Sequence, residues 1–164
     1  MNGPVLGLLF DKHTVGSIKD EAQAPRQGLI GGYVSVADVV AWADGLIGQD
    51  RANDVPQLLD LSLIRSDRIG EAVSLLGEVP GEWAPSDVGR SIARLVRARL
   101  VSGELTERRA ATVLFRVVIE GLSPDAEFEG MAYSFDHLLD HALQGHVATL
   151  AEVRVQMIEY LATI

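Results

Sequence analysis

His137 and His141 stand four residues apart, a spacing that puts both imidazoles on one face of a helix, where they could reach a single metal ion. The stretch reads His-Leu-Leu-Asp-His. It lacks the glutamate that follows the first histidine in a zinc-protease helix, and no third ligand stands at a legible spacing. The two histidines are therefore either weak metal candidates or part of a solvated polar face.

The residues around them form a second pattern. Stepping about 100° per residue from Phe135, the side chains of Phe128, Met131, Ala132, Leu138, Leu139, Ala142 and Leu143 gather with it on one side. Glu129, Tyr133, Asp136, His137, Asp140 and His141 gather on the other. Tyrosine is enriched at protein interfaces, and carboxylates steer basic partners by charge. Glu129, Tyr133, Asp136 and Asp140 are accordingly the candidate partner-binding residues. The competing expectation is that a neighbouring helix or loop covers Tyr133. Trp83, in the proline-bounded segment PGEWAP at 80–85, is a further candidate anchor. The favoured expectation for Trp83 is a plug at the end of a core, because tryptophan is buried on average, and Trp42 reads as core as well.

Other chemistry is hard to find. Gly28-Leu29-Ile30-Gly31-Gly32 lacks the Gly-Lys-Ser/Thr ending of a phosphate loop, and there is no Gly-x-Ser-x-Gly. With no cysteine, a disulfide scaffold, a thiolate zinc site and a cysteine nucleophile are all excluded. Arg90, Arg94 and Arg97 share one helical face, which could meet phosphate or an acidic partner but more simply meets the chain's own acids. Arg99 falls near the apolar side of the same helix and should pair with a carboxylate. No catalytic residue and no cofactor is expected, and the chain reads as a non-enzymatic protein.

The charge balance narrows the partners. The net charge is -9, from 14 basic and 23 acidic residues, which argues against nucleic acid. Residues 86–119 carry 3 acidic and 7 basic residues, whereas residues 120–164 carry 8 acidic and 1 basic. Twelve of the basic residues are arginine and two are lysine, the signature of a GC-rich bacterial host. Hydrophobic residues make up 48%, yet no apolar run approaches the roughly 20 residues that span a bilayer. Val5 to Phe10 is interrupted by Gly7 and stopped by Asp11 and Lys12, and no basic n-region marks a signal peptide. A cytoplasmic protein with no membrane partner is expected. The apolar excess suits a large helical core or an interface such as that of a homodimer.

The elements that position these residues are helices. Residues 1–33 hold six of the 16 glycines with Pro4 and Pro25, and read as an irregular N-terminal arm, with a short strand or packing segment at Val5 to Phe10. From residue 34 to 164 the pattern is one helical domain. Ser35 with Asp38 resembles a capping box, and Asp54, Ser66 or Asp67, Ser86, Thr106, Ser123 and Thr149 are the further start signals. About seven helices result, joined by short links that imply antiparallel hairpins in a compact all-α bundle.

Trp42-Ala43-Asp44 with Leu46-Ile47, then Leu58 to Leu63 (LLDLSL), then Leu100 to Glu104 (LVSGE), give residues 36–162 a resemblance. In these motifs the chain resembles small helical bacterial proteins associated with polymorphic-toxin immunity. The resemblance implies a protein that binds a toxin and occludes its active site. These motifs are mostly core and cap residues, and the resemblance transfers no functional residue, because no site motif of the group is matched here. A homo-oligomeric scaffold or regulatory subunit is the alternative, and a metal-dependent enzyme the lesser one.

Overall fold

A computed structural model describes residues 17–146 and 148–164. Among them the chain forms eight α-helices and no strand: α1 (Ile18–Gly31), α2 (Val36–Gly48), α3 (Pro56–Ser62), α4 (Ile69–Glu78), α5 (Pro85–Ser102), α6 (Glu107–Ile119), α7 (Ala126–Leu143) and α8 (Leu150–Leu161). The all-α expectation holds, with one helix more than the sequence reading found. The expectation of a strand or packing segment at Val5 to Phe10 lies outside the described residues.

The additional helix is α1, which occupies most of what read as the second half of an arm. Pro25 sits inside it, and proline removes one backbone bond from a helix interior. Tertiary burial outweighs that cost, since Ala22, Ala24 and Leu29 are buried. The start signal is a full capping box, with Ser17 and Asp20 bonding each other's backbone N–H. Gly32 ends the helix at φ 69°, a left-handed conformation that glycine adopts without penalty. Gly32, one of the glycines behind the expectation of an irregular arm, therefore terminates an ordered helix.

Capping boxes also open α2 at Ser35/Asp38 and α8 at Thr149/Glu152, and the Thr106 hydroxyl caps α6, as their sequences imply. Elsewhere the starts shift. Val55 and not Asp54 precedes α3, Arg68 precedes α4, α5 begins at Pro85, and Asp125 and not Ser123 caps α7 by accepting from Phe128 N–H.

The chain divides into two compact units, Met1–Ala84 and Pro85–Ile164. In the first, α1 packs on α4, α2 on α3, and α4 on both α2 and α3. Trp42, Leu46, Leu58, Leu61, Ala72 and Leu76 form its buried interior, with Trp42 only 2% exposed, as expected. Polar tethers reinforce α1. The Lys19 ammonium donates to the Gly77 carbonyl at 2.5 Å, at the C-terminal end of α4, where backbone oxygens lack helical partners. Burial, and secondarily the Arg26 charge, lower the Lys19 pKa. Glu21 is buried and meets the Arg51 guanidinium through two hydrogen bonds of 2.6 and 3.1 Å.

In the second unit each helix packs on the next and α8 returns to α5, closing a ring of four. Val88, Ile92, Val96, Leu114, Phe128, Phe135, Leu139 and Met157 point inward. The neighbours run antiparallel. Arg108 meets Asp140 and Phe115 meets Tyr133, two turns along α6 and two turns back along α7. Likewise Arg97 donates to the Ile158 carbonyl while Arg154 donates to that of Leu100, across α5 and α8. Gly89 lets the link before α7 lie against α5, since a Cβ there would overlap the Leu122 carbonyl oxygen and meet Pro124 Cδ at 3.0 Å. Arg99, 9% exposed, pairs with Glu104 at 3.4 Å, the carboxylate partner its position called for. Among the described residues no helix is long and apolar enough to cross a membrane.

Candidate functional site

The polar face of α7 is open to solvent. Tyr133 is 47% exposed, so no helix or loop among the described residues covers it. Its ring stands edge-on to Phe115 of α6, with centroids 5.4 Å apart and planes at 84°. Edge-to-face pairs of this kind are favourable beyond their area, and they fix the ring's direction. Tyr133 is thus held in place by its inner edge while its outer part faces water.

The antiparallel register builds the rest of the face. Two turns from the aromatic pair, the Arg108 guanidinium donates to Asp140 at 2.7 Å, both groups being exposed. That hydrogen bond, then the charge of Asp140, raises the Arg108 pKa, and Asp136 adds to the effect. Asp136, half-buried, therefore lies within electrostatic reach of the same guanidinium. The register places Thr112 opposite Asp136, and Ile119, 68% exposed, opposite Glu129. The groove between α6 and α7 thus carries an aromatic and aliphatic strip, Tyr133, Phe115 and Ile119. Glu129 and Asp136 stand beside it without an ion-pair partner among the described residues.

Four of the sequence candidates, Glu129, Tyr133, Asp136 and Asp140, are brought together here, although Asp140 is committed to Arg108. Phe115, Ile119 and Arg108 escaped the sequence reading. A wheel of α6 puts Arg108, Thr112, Phe115 and Ile119 on one stripe, but only the pairing with α7 shows which neighbour that stripe meets.

His137 and His141 are exposed on the flank of α7 turned away from α6. Among the described residues no group of three or more His, Cys, Asp or Glu side chains could hold a metal ion. The pair gains no third ligand.

Trp83 belongs to the other unit and is 42% exposed, which corrects the expectation of a core plug. The cause lies in the backbone on either side of it. The Glu82 carbonyl accepts from the Ser17 hydroxyl at 3.0 Å, and Ala84 N–H donates to Asp20 at 2.9 Å. Both groups are committed to the start of α1, and the indole between them is turned outward.

The remaining polar clusters are structural. Arg154 of α8 donates to Glu107 at 2.6 Å and to the Leu100 carbonyl, tying α6 and the end of α5 to α8. The Arg154 hydrogen bond, against the opposing effect of burial, holds the Glu107 carboxyl below its usual range. Burial, with smaller contributions from Asp125 and Glu127, pushes the Tyr160 hydroxyl up to about 12. No protein-family model, no curated protein and no solved structure matches this chain.

Proposed function

We propose that this chain is a protein-binding protein of the immunity type, which covers the active site of a bacterial toxin with the α6/α7 face. One observation carries the reading: Tyr133 is exposed, braced by Phe115 and flanked by the unpaired carboxylates of Glu129 and Asp136. A rigid aromatic supplies contact area at little entropic cost, and unpaired acids speed encounter with a basic partner. Ile119 extends the apolar strip by one turn. The reading assigns no catalytic group to the chain. Inhibition works by occlusion, in the cytoplasm, where a toxin would otherwise act. The resemblance of residues 36–162 to polymorphic-toxin immunity proteins points the same way.

The test is co-expression with the catalytic domain of a toxin encoded beside this chain. The wild-type chain should restore growth and bind the purified domain. Tyr133→Ala combined with Asp136→Lys should weaken binding by about 100-fold or more, the loss of one interfacial anchor and one favourable charge. Rescue that survives both substitutions removes the site from this face.

A further inference from the structure

The second unit carries another open groove, on the edge of the ring opposite α6 and α7. It runs between α5 and α8, whose antiparallel register is set by Arg97 bonding the Ile158 carbonyl and Arg154 bonding that of Leu100. On α5, Arg90, Arg94, Arg97 and Val101 fall within about 60° of one line, and on α8 so do Ala151, Val155 and Ile158. Val101 is 62% exposed and Val155 is 52% exposed. Arg94 is exposed, and neither it nor Arg97 forms an ion pair among the described residues. Arg90 is engaged with Asp87 at 2.7 Å. Glu159 is exposed too and, four residues from Val155 on α8, stands at the edge of this face on the side away from α5. With two guanidinium groups against the one carboxylate at its edge this groove is apolar and on balance basic, whereas the α6/α7 groove is aromatic and acidic.

We infer that these two faces fit each other, so that the α6/α7 face of one chain docks on the α5/α8 face of a second copy. Carboxylates without an ion pair at Glu129 and Asp136 meet the guanidinium groups of Arg94 and Arg97, the latter bonded through Nε to the Ile158 carbonyl but without a carboxylate partner, and Tyr133 and Ile119 meet Val101 and Val155. The net charge of -9 opposes association as a whole. At physiological salt, however, screening acts over about 8 Å, so remote charges are muted while contacting pairs are not. The two surfaces differ and lie on opposite edges of one unit. Each docking therefore leaves one face of either kind unfilled, and the assembly grows past a dimer into a ring or a chain. The inference does not rest on the immunity reading, although it uses the same face. A toxin on Tyr133 and a second copy on Tyr133 exclude each other.

Sedimentation velocity on the full-length chain, over a concentration series and from about 0.05 to about 0.5 M salt, tests this. The expected result is reversible association beyond the dimer, weakened at least tenfold at the high-salt end. Glu129→Lys with Asp136→Arg reverses one face, and Arg94→Glu with Arg97→Glu reverses the other. Each doubly substituted chain alone should be monomeric over the same range. An equimolar mixture of the two should associate again, because each reversed face then meets a complementary one, and this recovery also shows that both chains fold. A wild-type chain that stays monomeric throughout overturns the inference. So does association that stops at a dimer, association indifferent to both reversals, or a mixture that remains monomeric. Loss of toxin binding in the Glu129/Asp136 variant with retention in the Arg94/Arg97 variant would bear on the proposed function alone.

Discussion

Removing the Arg51 guanidinium tests whether α1 is an integral part of the first unit. The Glu21 side chain is 2% exposed, that of Arg51 33%, and their two hydrogen bonds measure 2.6 and 3.1 Å. Breaking a fully buried pair by deleting one partner costs about 3–5 kcal/mol, since a charge is left without compensation. Here a third of the arginine side chain is open, so water can reach the carboxylate once it is gone, and we expect Arg51→Ala to cost about 2–3 kcal/mol. Glu21→Gln should cost less, about 1 kcal/mol, because the surviving guanidinium can hydrate and the amide can still accept one bond. Glu21→Leu with Arg51→Met should fall within about 1 kcal/mol of wild type, as apolar replacements of buried pairs commonly do. Urea unfolding followed by tryptophan fluorescence reads the same unit, because Trp42 is buried in it. If Arg51→Ala costs under about 0.5 kcal/mol, or the double substitution is no better than the single, Glu21 is not held in the interior and the account of α1 fails.

Three further outcomes follow from the second unit. Gly89→Ala should destabilise it by about 3 kcal/mol or more, read as a lowered urea midpoint, because the obstacle to a Cβ is the backbone carbonyl of Leu122 and not a side chain that can rotate away. Arg154→Met should cost about 1–3 kcal/mol near neutral pH, since it frees the Glu107 carboxylate and the Leu100 carbonyl. The Glu107 pKa is depressed in the folded chain, so its contribution is present above the unfolded value near 4.3 and is lost as pH falls through the folded value. Wild type and Arg154→Met should therefore converge in stability on acidification below about pH 4, and parallel curves would contradict this. Tyr160, raised to about 12, favours the protonated folded form, so its contribution is present below pH 10 and lost between 10 and 12. A late step in the tyrosinate absorbance should vanish in Tyr160→Phe. That variant should keep its neutral-pH stability, because the buried Tyr160 hydroxyl makes no hydrogen bond among the described residues.

How much of this was legible depended on how local each signal is. Ser35/Asp38 and Thr149/Glu152 are capping boxes whose partners sit three residues apart, and the sequence located both. Helical periodicity put Tyr133 and its acids on one face of α7, but only the packing of the helices decided that the face is open, with Tyr133 47% exposed. Helix α1 was missed because its breakers, Pro25, Gly28 and Gly31, are local, whereas what stabilises it is distant. Gly77 is 58 residues from Lys19, and Arg51 is 30 from Glu21. Trp83 was misjudged for the same reason, since its direction is set by Ser17 and Asp20 more than 60 residues earlier. Within the candidate site, Tyr133 and its acids lie on one helix and were visible together. Phe115 and Ile119 needed the register of two helices, which no pattern within either one encodes.

That register also explains what the uneven charge does. The basic stretch of α5 and α6 is answered within the unit: Arg90 by Asp87, Arg99 by Glu104, Arg108 by Asp140, Arg116 by Glu120 and Glu107 by Arg154. Asp125 and Glu152 are spent on helix caps. Had the charges served only to hold four helices together, the unanswered ones would be scattered over the surface. Glu127 does lie apart, on the outer flank of α7, and Glu159 stands at the far edge of the α5/α8 face, one turn from Val155. The rest are sorted: Arg94 and Arg97 along the α5/α8 groove, Glu129 and Asp136 along the α6/α7 groove, and each pair stands beside exposed apolar side chains. An exposed apolar strip costs solubility unless something covers it, and a charge left unpaired beside such a strip selects what does. The two grooves are therefore where the proposed partners would dock, and the sign of the charge beside each one is what the reversal variants test.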